Sequence, residues 1–99
     1  MRLSARSAAI ITELARKHFG IDASVYLFGS RTDNASRGGD IDLYIEVPQE
    51  LSEKFRIEKA FSADLQRTLG EQKIDVIVRD GQSALLPIHV EALNNGVRI

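Results

Sequence analysis

Cysteine and tryptophan are absent from the 99 residues, and there are only two prolines and six aromatic side chains besides histidine (four Phe, two Tyr). Without cysteine there can be no disulfide staple, no thiolate metal site and no cysteine nucleophile. With only two histidines, far apart in sequence, a zinc site is not expected either. No apolar run approaches the roughly 18 residues of a membrane helix. Met1 to Ile11 carries two arginines but no apolar stretch and cleavage pattern of an export signal, so a cytoplasmic location is the simplest expectation. Charge of one sign is also lacking. Thirteen Lys and Arg against fourteen Asp and Glu leave a net charge of −1, without the bulk basic footprint of a nucleic-acid binder. What remains is 43% hydrophobic and 27% charged, a globular composition. A chain this short has material for one core, so residues 1–99 are expected to form a single domain.

The hydrophobic pattern alternates between two periods. Ile10, Ile11, Leu14, Ala15 and Phe19 recur at helical spacing, which predicts a helix over 4–19 with Ser4 as N-cap and Gly20 at its end. Val25 to Phe28 is a short strand candidate that stops at Gly29-Ser30. The polar stretch 32–39 is expected to be a loop. From Asp40 to Val47 the alternation is strict: Ile41, Leu43, Ile45 and Val47 on one face, Asp40, Asp42, Tyr44 and Glu46 on the other. A second helix is expected over 50–69, with Leu51, Phe55, Phe61, Leu65 and Leu69 as its apolar stripe. A third strand follows over 73–79, with Ile74, Val76 and Val78 facing one way and Asp75, Ile77 and Arg79 the other. A last helix is expected over 84–94, stopped by Asn95-Gly96. The order helix, strand, strand, helix, strand, helix predicts an α/β fold, a small mixed β-sheet flanked by helices.

The chemistry-bearing feature is a strand with carboxylates at Asp40 and Asp42. Acidic residues are poor strand formers, and two on one face, roughly 6–7 Å apart at the backbone, repel. A hard divalent cation resolves that conflict, and magnesium leaves coordination positions for phosphate oxygens. Asp75 alternates away from Ile74 and Val76 and can lie on the same sheet face. Three carboxylates on one surface suit two metal ions about 3.5–4 Å apart, an arrangement that serves phosphoryl or nucleotidyl transfer. Gly29-Ser30 ends the preceding strand, where a glycine lets phosphate approach the backbone and the serine hydroxyl and N–H groups can donate to it. Arg31 adds a guanidinium suited to phosphate.

Singly, each of these is ordinary. Gly-Ser at a strand end is usually a turn, Asp-x-Asp is usually solvated, Asp75 can be a strand-entry residue paired with Lys73 or Arg79, and Arg31 can be a surface cation. His18, on the helix stripe, is expected to be a partly buried or surface residue, and His89 has no metal-type partner near it in sequence. Tyr44 shares the acidic face and can line a nucleotide pocket, though packing is its stronger reading. Glu46 is expected to be a spectator.

Together the features are specific. Phe28-Gly29-Ser30-Arg31, nine residues from Ser30 to Asp40, and then Gly39-Asp40-Ile41-Asp42-Leu43 resemble the signature of the DNA polymerase β-like nucleotidyltransferases. More narrowly, the chain resembles the minimal nucleotidyltransferases, the MntA-like antitoxins paired with HEPN toxins. The likeness extends over the leading helix, the long helix, the Lys73–Val78 strand and the final helix. The Ser30 to Asp40 interval is one residue shorter than the commonest form of the minimal group, and within the range of the wider superfamily.

The resemblance implies that Gly29 and Ser30, with Arg31, hold a nucleoside triphosphate. It implies that Asp40 and Asp42 bind two Mg2+ ions, and that Asp75 completes the metal site and helps to activate the attacking hydroxyl. It also implies ATP as substrate and transfer of AMP to a tyrosine hydroxyl of a HEPN toxin. No acceptor-recognising domain is expected within these 99 residues, which accords with a partner protein supplying the acceptor. Two alternatives stay open: a catalytically silent antitoxin that neutralises by binding, and a nucleotidyltransferase of a small hydroxylated molecule.

Overall fold

The computed structural model describes residues 4–28, 41–70, 73–81 and 84–99. The elements, in chain order, are α1 (Ala5–Phe19), β1 (Ser24–Leu27), β2 (Ile41–Glu46), α2 (Lys54–Leu69), β3 (Ile74–Arg79), α3 (Pro87–Asn95) and β4 (Val97–Arg98). The strands form one mixed sheet in the order β3-β2-β1-β4. β1 runs antiparallel to β2 and β4, while β2 and β3 are parallel. This is the small mixed sheet flanked by helices that the two periods predict. Among the described residues no helix is long and apolar enough to cross a membrane.

Alternation decides which residues meet which layer. Ile41, Leu43, Ile45 and Val47 of the β2 segment join Val25, Leu27 and Val78 against Ile11, Ala15 and Phe19 of α1 and Phe61 and Leu65 of α2. The opposite face carries a smaller cluster: Phe28, Tyr44 and Ala92, with Tyr26, Ile77 and Leu93 packed on it. α1 and α2 therefore cover one side of the sheet and α3 the other.

α1 begins as its sequence predicts, with the Ser4 hydroxyl accepting from the Ser7 N–H at 3.0 Å. It ends at Gly20, whose φ of 106° favours glycine. α1 and α2 are tied by Asp64, which lies 2.6 Å from His18 Nε2, 3.5 Å from Lys17 Nζ, and pairs with Arg67. The His18 hydrogen bond, with the charges of Lys17 and Arg67, holds the Asp64 carboxyl below its ordinary range.

Three expectations need correction. The second helix starts at Lys54, not near residue 50. The chain before it is held to the turn after β3: the Leu51 N–H donates to Asp80 Oδ2 at 2.9 Å and the Gly81 N–H to the Gln49 carbonyl at 3.0 Å. Phe55 is not part of the buried stripe. It is 70% exposed, under the Lys59 ammonium at 5.1 Å, and Ile57 takes the inward position. The last helix spans Pro87–Asn95 and is followed by β4, which the sequence pattern did not show. Two residues are too few for a period. Their strand conformation comes from the vacant edge of β1, with Leu27 opposite Val97 and the Ile99 N–H bonded to the Val25 carbonyl at 3.0 Å. Gly96 makes the turn into β4, where a Cβ would collide with the Ala92 carbonyl.

The packing sets a clear contrast between two phenylalanines of α2. Phe61 is fully buried, edge-on to Phe19 at 5.2 Å. Phe61→Ala is expected to cost about 3–5 kcal/mol in urea unfolding, and Phe55→Ala no more than about 0.5 kcal/mol. Equal losses would contradict the assignment of the two faces.

Candidate functional site

The sheet face beneath α3 is built in rows across β2 and β3, because parallel pairing sets Asp42 opposite Asp75, Tyr44 opposite Ile77 and Glu46 opposite Arg79. Directly paired residues share a face, about 4.8 Å apart across the strands. The three rows differ in chemistry. The middle row pairs the fully buried Tyr44 with the partly buried Ile77. The row at the carboxyl ends of the strands joins opposite charges. The row near their amino ends joins like charges.

The opposite-charge row is bonded through Glu46, although the buried Arg79 Nε has no hydrogen-bond partner among the described residues. The Arg79 guanidinium donates to Glu46 Oε2, and the Tyr44 hydroxyl donates to the same carboxylate oxygen at 3.0 Å. Glu46, expected to be a spectator, is therefore the acceptor that anchors both groups, and Arg79 serves Glu46 rather than Asp75. The cross-strand pairing that makes this contact lies 33 residues away in sequence, so alternation alone gives no sign of it.

Tyr44 itself is fully buried between Tyr26, ring centroids 5.8 Å apart, and His89, 5.6 Å apart. The packing reading holds for this tyrosine. Burial, then the hydrogen bond to Glu46 and its negative charge, push the hydroxyl up to about 12, against a smaller opposing pull from Arg79. His89 is also buried, and its Nδ1 accepts the Leu86 N–H at 3.0 Å at the start of α3. That contact leaves the ring proton on Nε2. It is a capping and packing residue, roles that the sequence did not signal.

The like-charge row joins two acids. Asp42 is half-buried and Asp75 exposed. Their shared face follows from the core: Ile41 and Leu43, with Ile74 and Val76, are committed to the α1/α2 side, so the acids between them must point away. Two carboxylates opposite each other are unfavourable as a structural pair. Hard oxygen donors at this separation fit a divalent cation such as magnesium, which two carboxylates can hold while leaving positions for phosphate oxygens.

The chain also passes this row at its other side. The Phe28 N–H donates to the Asp42 carbonyl at 3.0 Å, so the segment leaving β1 does so beside Asp42. Gly29, Ser30, Arg31 and Asp40, the remaining residues of the sequence-based site, lie outside the described residues, as does the expected loop over 32–39. The structure thus brings together Asp42 and Asp75 of the expected set.

A cavity of about 360 Å3 opens at the opposite end of the sheet, lined by Asp22, Ser24, Glu46, Arg79, Asp80 and Gly81 among others. It lies four residues along β2 from Asp42, roughly 13 Å away. Its carboxylates are engaged: Glu46 by Arg79 and Tyr44, Asp80 by the Leu51 N–H. It is separate from the acidic row.

A family model described as polymerase β nucleotidyltransferase matches residues 10–99, nearly the full sequence. The chain belongs to that family and carries its nucleotidyltransferase domain. No curated protein matches it.

The Tyr44 environment makes a measurable difference. Its phenolate absorbance should appear only near pH 12, and Tyr44→Phe should remove that step. A tyrosine whose folded value lies above its unfolded value near 10 binds more protons folded than unfolded between the two. Stability is therefore expected to fall as pH rises from about 10 to about 12. A Tyr44 step at the ordinary tyrosine value would contradict the buried hydrogen bond.

Proposed function

We propose that this chain is a magnesium-dependent adenylyltransferase that moves AMP from ATP to a hydroxyl, a tyrosine hydroxyl of a HEPN-type toxin, and so acts as that toxin's antitoxin. Membership of the nucleotidyltransferase family supports nucleotidyl transfer. The single observation that carries the site is the register pair Asp42 and Asp75: like charges on one sheet face, beside Phe28, whose N–H donates to the Asp42 carbonyl. The minimal-group reading rests on the likeness of Phe28-Gly29-Ser30-Arg31 and Gly39-Asp40-Ile41-Asp42-Leu43 to that signature.

Each residue has a role in this reading. Gly29 and Ser30 bind the triphosphate, and Arg31 balances its charge. Asp40, Asp42 and Asp75 hold magnesium, two ions in all. The chemistry magnesium supplies when bound is positive charge against the phosphoryl oxygens. Asp75, at the exposed side of the row, orients the acceptor hydroxyl and takes up its proton on a carboxylate oxygen. The hydroxyl oxygen forms a bond to the α-phosphorus as the bond from that phosphorus to the β-phosphate oxygen breaks, and pyrophosphate leaves.

A second reading has one observation in its favour. Leu85, Leu86, Ile88, Val90 and Val97 are large apolar side chains exposed on and around α3. Such a surface suits a binding antitoxin that needs no catalysis.

Co-expression with the protein encoded beside it, followed by intact mass of that partner, separates the readings. The adenylyltransferase predicts a gain of one or more AMP units that requires magnesium. Asp42→Asn or Asp75→Asn should lower it by about 10²-fold or more, the scale of losing a group that stabilises transition-state charge. An unmodified partner in a tight complex, with toxicity suppressed equally by both variants, would establish neutralisation by binding instead.

Magnesium should also raise the melting temperature of the wild-type chain and leave that of Asp75→Asn unchanged, because relief of the carboxylate repulsion needs both acids. The same rise in both proteins would place the ion elsewhere.

A further inference from the structure

β3 is an edge strand, and its orientation leaves a specific set of backbone groups outward. The Ile41 N–H donates to the Lys73 carbonyl at 2.8 Å and the Val47 N–H to the Arg79 carbonyl at 2.9 Å. In a parallel ladder this fixes the alternation. Residues 73, 75, 77 and 79 turn their backbone groups toward β2. Ile74, Val76 and Val78 turn theirs away from the sheet. Among the described residues nothing pairs with that edge.

Sheet edges of this kind are commonly blunted by proline, by lysine within the strand, by a bulge or by a very short strand. β3 has no proline, lysine or bulge, and its two charges, Asp75 and Arg79, lie on the face shared with Asp42 and Glu46. It is six residues long, IDVIVR, with a continuous Val76-Ile77-Val78 centre. β4, the opposite edge, is only two residues long. Among the described residues the sheet is thus open to strand addition on the side that carries Asp75.

We infer that the outer edge of β3 takes up an extended segment of the acceptor protein as an added strand, with a hydroxyl-bearing residue in register with Asp75. This rests on the reading above that the acceptor is a polypeptide hydroxyl. Directly paired residues on neighbouring strands share a face. A residue opposite Asp75 therefore extends the row Asp42–Asp75 by one strand and projects on the same side of the sheet. Backbone pairing supplies affinity without a separate recognition domain, and the side chains beside Val76 and Val78 supply selectivity for apolar or β-branched neighbours. A hydroxyl beside Asp75 is favoured there over a carboxylate, which would add a third like charge.

Residue-resolved amide hydrogen exchange on the wild-type chain, alone and with the partner protein, tests this directly. In the isolated chain the amides of Val76 and Val78 should exchange quickly and those of Ile77 and Arg79 slowly. With the partner, Val76 and Val78 should gain at least about tenfold protection, roughly the worth of one added hydrogen bond. As a second probe, Val76→Pro removes an outward donor that β2 does not use, a change tolerated at sheet edges. It should slow modification of the partner by about tenfold or more while ATP binding is retained.

Transfer to the partner with Val76 and Val78 still fast would overturn the edge inference and leave the adenylyltransferase reading intact. Protection without transfer would uphold the edge and remove the reading. Protection that appears in the isolated chain and grows with its concentration would mean that a second copy occupies the edge, and would overturn the inference.

Discussion

The structure turns on one enforced contact, the placement of Asp42 beside Asp75 across two parallel strands. Like charges in that position do not hold strands together. They are set there by what lies between them in sequence. Ile41, Leu43 and Ile45 on β2, and Ile74, Val76 and Val78 on β3, all belong to the layer under α1 and α2. A slip of one residue would turn both acids into that layer and expose the apolar set. The hydrophobic core thus fixes the register, and the register fixes the carboxylates.

The same register shows what an ordinary charged row looks like. Glu46 and Arg79 stand in the same relation as Asp42 and Asp75, at the other end of the strands, and there the charges are opposite and bonded. Tyr44 adds its hydroxyl to Glu46 and fills the space between the rows, against His89 and Tyr26. One end of the face is therefore closed by its own partners. The other presents Asp75 to solvent, beside the departing chain at Phe28. This asymmetry sets the two ends of the sheet face apart.

Much of this was legible because alternation is a strong signal. The faces of β2 and β3, the Ser4 cap and the end of α1 at Gly20 follow from residues close together in the chain. What was not legible depends on distant partners. Spacing by four drew Phe55 into the stripe of α2, but Leu51 is held outside the helix by Asp80, so the stripe starts at Ile57 and Phe55 turns outward. β4 exists because β1 has an edge to offer Val97. Glu46 gained its role from Arg79, a residue on another strand. At the candidate site, the pairing of Asp42 with Asp75 was anticipated as a shared face, and the parallel register makes them immediate neighbours.

The central claim is that this carboxylate row is a divalent-cation site. Manganese, a paramagnetic substitute for magnesium, tests it by nuclear magnetic resonance of the full chain. The account predicts that line broadening begins at the amides of Asp42 and Asp75, falls away toward Glu46 and Arg79, and is lost in Asp75→Asn. Broadening centred on Asp22, Glu46 and Asp80 at the far end of the sheet, or none at the acidic row, would contradict it.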